Sequence, residues 1–247
     1  MKMSLLEMVQ SILSEMDADE VNGLDDTVEA QQVAQIIKDC YYEMLGNRNW
    51  PFMRKLTQLD ASGTPTKPNY LKLPDNLKEL VSFKYDNGTP SEPFLQDVKF
   101  KEPDEFLRYI SSRNSTLDNV STITDFGGSK LLIVNDKAPQ YWTTFDDTYL
   151  VTDSYDSTKD VTLMKSKTQC LAYIVPTWIR TNEAIPEFPI DAFPALLAEA
   201  KSTAFIALKQ VANQKAEQKA GRQQRWLARK AWRAEGGVQY ANYGRKR

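Results

Sequence analysis

The side chains best placed to do chemistry stand at the end of the chain, in RQQRWLARKAWRAEGGVQYANYGRKR, residues 222–247. Helical spacing over 222–235 puts Arg222, Arg225, Arg229 and Arg233 at offsets 0, 3, 7 and 11, in one stripe with Trp226 and Lys230 beside it. Guanidinium groups pair in bidentate fashion with carboxylates and phosphates, and nearby aromatic rings supply anchoring area. The expected chemistry is therefore recognition of an acidic partner surface, by these residues together with Trp232, Tyr240, Tyr243, Arg245, Lys246 and Arg247. From Lys209 onward eleven Lys/Arg stand against two Glu, about +9, so the preceding residues carry about −11 and the formal net charge is −2. Two plainer readings compete. One is a solvated helix end whose cations complement the helix dipole. The other is a basic helix that binds nucleic acid, although such binders spread their basicity over a folded groove or sheet and this body is acidic.

Other chemistries find less support. The chain has no histidine, which excludes Ser-His and Cys-His nucleophile pairs, an imidazole general base and a His-containing zinc site. Carboxylate pairs such as Asp146/Asp147 and Asp153/Asp156 are of the type used in glycoside hydrolysis, but they sit in turn-like sequence and read as loop residues. DADEVNG (17–23) resembles a calcium loop with its glycine one position late and Val28, not Glu, at the twelfth position. No glycine-rich phosphate motif is present. No catalytic residue, cofactor or metal is expected. Cys40 and Cys170 are too few for a disulfide framework and read as buried, reduced hydrophobes. No stretch approaches the roughly 18 apolar residues of a membrane span, and the N-terminus has no secretory pattern, so no membrane partner is expected and the product reads as cytosolic.

The elements that must position the basic end follow from periodicity. Ser4 and Glu7 form a capping-box pattern, and Leu5, Met8, Val9, Ile12 and Leu13 then recur at helical spacing. A second helix follows, with Asp26 as its cap and Val33, Ile36, Ile37, Cys40, Met44 and Leu45 inward; Gly46 and Pro51 stop it. From Trp50 to about Pro186 the pattern is mostly strand, at YLKL, VSFKY, KLLIV, YWTTF, TYLV and CLAYIVPTWI, with one short helix at PDEFLRYI. PIDAFPALLAEAKSTAFIALKQVANQKAEQKAG then returns to helix formers, with Leu197, Ala200, Ala204, Leu208 and Val211 on one face, and beyond Gly221 the helix resumes to about Glu235. The expected fold is α+β, a helical bundle of N-terminal and C-terminal helices with an inserted β-rich region and an extended C-terminal tail. Its parts are a helical hairpin at 1–50, the β-rich insert at 51–186, a long helix at 187–235 and a flexible basic docking tail at 236–247.

The order of short motifs resembles the tail tubular protein A family, the head-to-tail adaptors of short-tailed bacteriophages. An Asn-x-Leu-Asp loop precedes a helix ending in Arg-x-Trp-x-Phe, matched by Asn22, Leu24, Asp25, Arg48, Trp50 and Phe52. A Leu-Pro element before a strand is matched by Leu73 and Pro74, and YWTTFDDTYLVTDSYDS and the late Pro-initiated helix are similar as well. The resemblance covers roughly residues 4–215. It implies a structural virion protein at the portal vertex between head and tail, made in the host cytoplasm. About twelve copies would form a ring that docks on the portal protein, continues the DNA channel and receives the tail nozzle protein, with DNA passing unbound. The basic tail matches no family motif, so no contact residue is carried over to it. Its charge suits a division of labour in which the acidic body faces DNA and the basic end reaches acidic portal surface.

Overall fold

In the computed structural model, residues 2–89 and 92–234 are described, with side chains up to Arg229. The helices are α1 (Leu5–Glu15), α2 (Val28–Gly46), α3 (Pro103–Ser111), α4 (Phe193–Lys209) and α5 (Gln214–Ala234). The strands are β1 (Arg54–Thr57), β2 (Asp60–Ala61), β3 (Tyr70–Lys72), β4 (Leu77–Asp86), β5 (Leu95–Phe100), β6 (Val120–Thr124), β7 (Lys130–Val134), β8 (Tyr141–Thr144), β9 (Tyr149–Thr152) and β10 (Thr168–Ile174). The chain divides into two compact units, Arg54–Val175 and the residues on either side of it.

In the flanking unit, α1, α2 and α4 pack on one another and α5 packs on α4. The capping box forms: Ser4 Oγ accepts the Glu7 amide at 3.2 Å and Glu7 Oε2 accepts the Ser4 amide at 2.7 Å. Helix α2 starts one residue later than its sequence suggests. Asp26 is engaged by the Asn22 amide at 2.7 Å, and Thr27 Oγ1 caps the helix by accepting the Ala30 amide at 3.1 Å. The span 187–235 holds two long helices, because Gln210 adopts a left-handed φ of 56° that ends α4 and Asn213 Oδ1 accepts the Ala216 amide to start α5. Val211, assigned to the inner face of one continuous helix, lies in that break and is exposed.

The unit Arg54–Val175 is dominated by an eight-stranded sheet in the order β1-β10-β4-β5-β8-β9-β3-β2, with β6 and β7 as a separate hairpin. All pairings are antiparallel except β5 with β8. The two edge strands, β1 and β2, are consecutive in sequence and joined by Gln58 and Leu59 alone. Three residue steps reach at most about 11 Å, so the sheet must curl until its edges meet. Leu59 sits at the seam, fully buried, its amide donating to Thr168 Oγ1 at 2.9 Å. Inside the curl, Leu59, Tyr70, Leu71, Phe83, Val98, Leu150, Val151 and Cys170 form one core with Phe106 and Ile110 of α3 and Ile123, Leu131 and Ile133 of the hairpin.

This architecture corrects the expected fold class. The chain is a mixed α/β protein built around a large curled sheet, with five helices among the described residues, and not a helical bundle carrying a β-rich insert. The strand pattern was undercounted because β1, β2, β5 and β6 are short or polar on both faces, RKLT, DA, LQDVKF and VSTIT. Edge and half-exposed strands lack the apolar alternation by which a strand is recognised.

Candidate functional site

Helix α5 shows how a strongly basic segment is held in place. Ala216, Ala220 and Leu227 are buried at spacings of four and seven residues, and α5 rests on α4. Between them Gln224 Nε2 donates to Glu199 Oε2 of α4 at 3.0 Å. At 3.6 residues per turn, Arg222, Arg225 and Arg229 fall on the opposite side, and all three are exposed. Arg225 Nε donates to the Gly221 carbonyl at 3.1 Å, which lays its stem along the helix. Trp226 stands beside the stripe, 48% exposed. Among the described residues, Arg222 and Arg229 form no ion pair. The result is a cationic surface about 10 Å long with one large ring at its flank, suited to pairing with carboxylates or phosphates. Lys230, Trp232 and Arg233 belong to α5 by backbone, but their side chains lie outside the described residues, as do Tyr240, Tyr243, Arg245, Lys246 and Arg247 entirely.

The carboxylate under α5 is not an ordinary surface acid. Burial raises the Glu199 pKa, and Glu43 and Glu217 add like-charge repulsion. A group whose folded pKa is raised stabilises the fold while protonated and loses that contribution as pH rises through the folded value. The seat of α5 is therefore expected to tighten as pH falls through the carboxylate range. Glu199→Gln keeps a partner for Gln224 and removes the repulsion, so the variant should be more stable at neutral pH by up to about 1 kcal/mol, an advantage that fades towards pH 4. Thermal unfolding at the two pH values checks this; a variant less stable at both would refute it.

The residues of the phage-adaptor resemblance fall into two separate places. In the flanking unit, Leu24 is buried and its amide donates to Asn182 Oδ1 at 3.2 Å, while Asp25 pairs with Arg180 at 2.6 Å and Asn22 closes the turn onto Asp26. Trp50 is buried, with Nε1 donating to the Met44 carbonyl at 2.7 Å and the Arg48 guanidinium 4.9 Å from its ring. Trp50 and Phe52 both pack on Phe188, at 5.5 and 5.8 Å between centroids. These side chains hold the chain entering and leaving the flanking unit. Leu73 and Pro74 lie in the sheet unit, where the Leu73 amide donates to the Thr148 carbonyl at 2.9 Å and the Pro74 carbonyl accepts the Leu77 amide at 3.0 Å.

Three of the four acids in the carboxylate pairs, Asp146, Asp153 and Asp156, are engaged in structural hydrogen bonds. Asp146 Oδ1 accepts the amides of Thr148 and Tyr149, and Asp156 Oδ1 accepts the amide and hydroxyl of Thr158. Asp153 is buried at the end of β9. Its Oδ1 accepts the amides of Gln140 and Tyr141 at 3.0 and 2.8 Å, and its Oδ2 meets Arg113 Nη2 at 3.0 Å. Arg113 Nη1 also donates to the carbonyls of Leu132 and Asp153, so one ion pair ties the end of α3 to β7, β8 and β9. Sequence reasoning missed this pair, because forty residues separate the partners and Arg113 stands in no motif. Cys40 and Cys170 are buried, and burial pushes their thiols up to about 11 and about 12, which keeps both protonated at neutral pH. Among the described residues no cluster of His, Cys, Asp and Glu could hold a metal ion, and no helix is long and apolar enough to cross a membrane. No family model matches this chain, and no curated protein matches it significantly.

Proposed function

We propose that this protein is a non-enzymatic structural component of a phage particle, the head-to-tail adaptor of a short-tailed bacteriophage, whose basic C-terminal helix docks on an acidic surface of the portal ring. The observation that carries this reading is the α5 surface, where Arg222, Arg225 and Arg229 are held outward by a buried Ala216, Ala220 and Leu227 face on a chain whose residues before Lys209 carry a net charge of about −11. The motif order from Asn22 to Pro74 supports it. About twelve copies form the ring, the acidic body lets DNA pass because like charge repels phosphate, and the far side receives the tail nozzle. The protein is made in the host cytoplasm and works in the virion.

The Arg stripe also suits phosphates, so duplex DNA is the competing ligand. Sedimentation of the full chain with its portal ring, and separately with duplex DNA, at low and physiological salt, tells them apart. Stoichiometric cosedimentation with the portal and none with DNA at physiological salt is the expected result. Binding to DNA alone, falling steeply with salt, would overturn the adaptor reading.

A further inference from the structure

An Asn-Gly step carries a chemistry of its own. Because glycine has no Cβ, its main-chain nitrogen can turn onto the Asn side-chain carbonyl carbon, and bond formation there expels ammonia. Asn22-Gly23 and Asn87-Gly88 are the two such steps in the sequence, and their surroundings differ. Asn87-Gly88 lies in the turn between β4 and β5 and is pinned. The Asn87 amide donates to the Phe94 carbonyl at 2.9 Å, and Lys159 Nζ donates to the Asn87 carbonyl at 2.6 Å and to its Oδ1 at 2.8 Å. The Gly88 amide donates to Asp86 Oδ1 at 2.9 Å. Asn22-Gly23 lies in the loop between α1 and α2, with Asn22 exposed. Its backbone amide donates to Asp26 Oδ2 at 2.7 Å, but among the described residues neither its side chain nor the Gly23 amide forms a hydrogen bond.

We propose that Asn22 is a site of spontaneous covalent modification, converting to aspartate and isoaspartate through a ring closed with Gly23, while Asn87 in the folded chain stays an amide. The Gly23 nitrogen bonds to Asn22 Cγ, the Cγ–Nδ2 bond breaks, and the proton lost by Gly23 leaves with Nδ2 as ammonia. Water then opens the resulting succinimide. Attack at Cγ gives aspartate, and attack at the Asn22 main-chain carbonyl carbon gives isoaspartate, whose main chain is one methylene longer. At Asn87 the same closure would first have to break the bonds to Lys159 and Asp86. The surroundings of Asn22 give the change a structural consequence. Two residues on, Leu24 is buried and its amide donates to Asn182 Oδ1, and Asp25 pairs with Arg180. An added methylene beside them shifts both out of step with their partners, so the isoaspartate form releases the tie between this loop and a segment 158 residues away. The loop is thereby an ageing clock for the flanking unit.

Peptide mapping of the full chain tests this. After incubation under mildly alkaline conditions, mass spectrometry should find the one-dalton gain of acid over amide at Asn22 at a rate at least tenfold above that at Asn87. In concentrated guanidinium chloride the two rates should come within about threefold, because the bonds that pin Asn87 are gone. No gain at Asn22 in the folded chain, or a gain no faster than at Asn87, overturns the proposal. So does a tenfold gap that persists in the denatured chain, since it would belong to the neighbouring side chains and not to the fold. Asn22→Gln supplies the unmodified reference, because its longer side chain closes a ring far more slowly and the Asn22 side chain has no hydrogen bond to lose among the described residues. Amide exchange at Leu24 should be at least tenfold faster in the aged isoaspartate fraction than in equally aged Asn22→Gln protein. Equal exchange would overturn release of the loop.

Discussion

Asp153→Ala is expected to cost about 3–5 kcal/mol of stability, the range for removing one partner of a buried ion pair. The Arg113 and Asp153 side chains are 12% and 3% exposed, so the guanidinium left behind would be a poorly hydrated charge. The amides of Gln140 and Tyr141 would lose their acceptor as well. Because Arg113 also holds the Leu132 and Asp153 carbonyls, the damage should reach α3, the β6–β7 hairpin and the start of β8 together. With a urea slope of about 1–3 kcal/mol per molar, the midpoint should fall by roughly 1–5 M. Replacing both partners by apolar residues, Arg113→Met with Asp153→Leu, should cost less than Asp153→Ala alone, since the expense lies in the unpaired charge. Urea unfolding followed by circular dichroism decides it: a single-variant loss below about 1 kcal/mol would mean that the pair is hydrated and structurally minor.

Reversing the α5 stripe, Arg222→Glu with Arg225→Glu and Arg229→Glu, is expected to weaken portal binding at least 100-fold. Each reversal replaces attraction to an acidic surface by repulsion, and about 1 kcal/mol at each of three sites already exceeds that factor. The three side chains are exposed and the buried face of α5 is untouched, so the variant should keep its unfolding midpoint within experimental error. Titration of the portal ring at two salt concentrations provides the measurement. The wild type should lose affinity as salt rises and the variant should be nearly insensitive. Equal binding by the two proteins would remove α5 from the portal interface.

Elements whose signals are local can be read from residue order. The Ser4–Glu7 box, the inward faces of α1 and α2, the basic stripe of α5, and the strands with apolar alternation, such as β4 and β7, all follow from neighbours within a few residues. Tertiary structure alone decided that β1 and β2 close a curled sheet, because edge strands carry little hydrophobic pattern and their partners come from distant segments. It decided the division of the last helical span at Gln210, a residue with no mark of a left-handed conformation in its type. It also decided the roles of Asp153 and Glu199. A carboxylate becomes a buried crosslink or a repelled acid according to what the fold brings against it, Arg113 from forty residues away in one case and Glu43 and Glu217 from two other helices in the other. Periodicity reports which side of an element is buried; it carries no information about which distant side chain will share that burial.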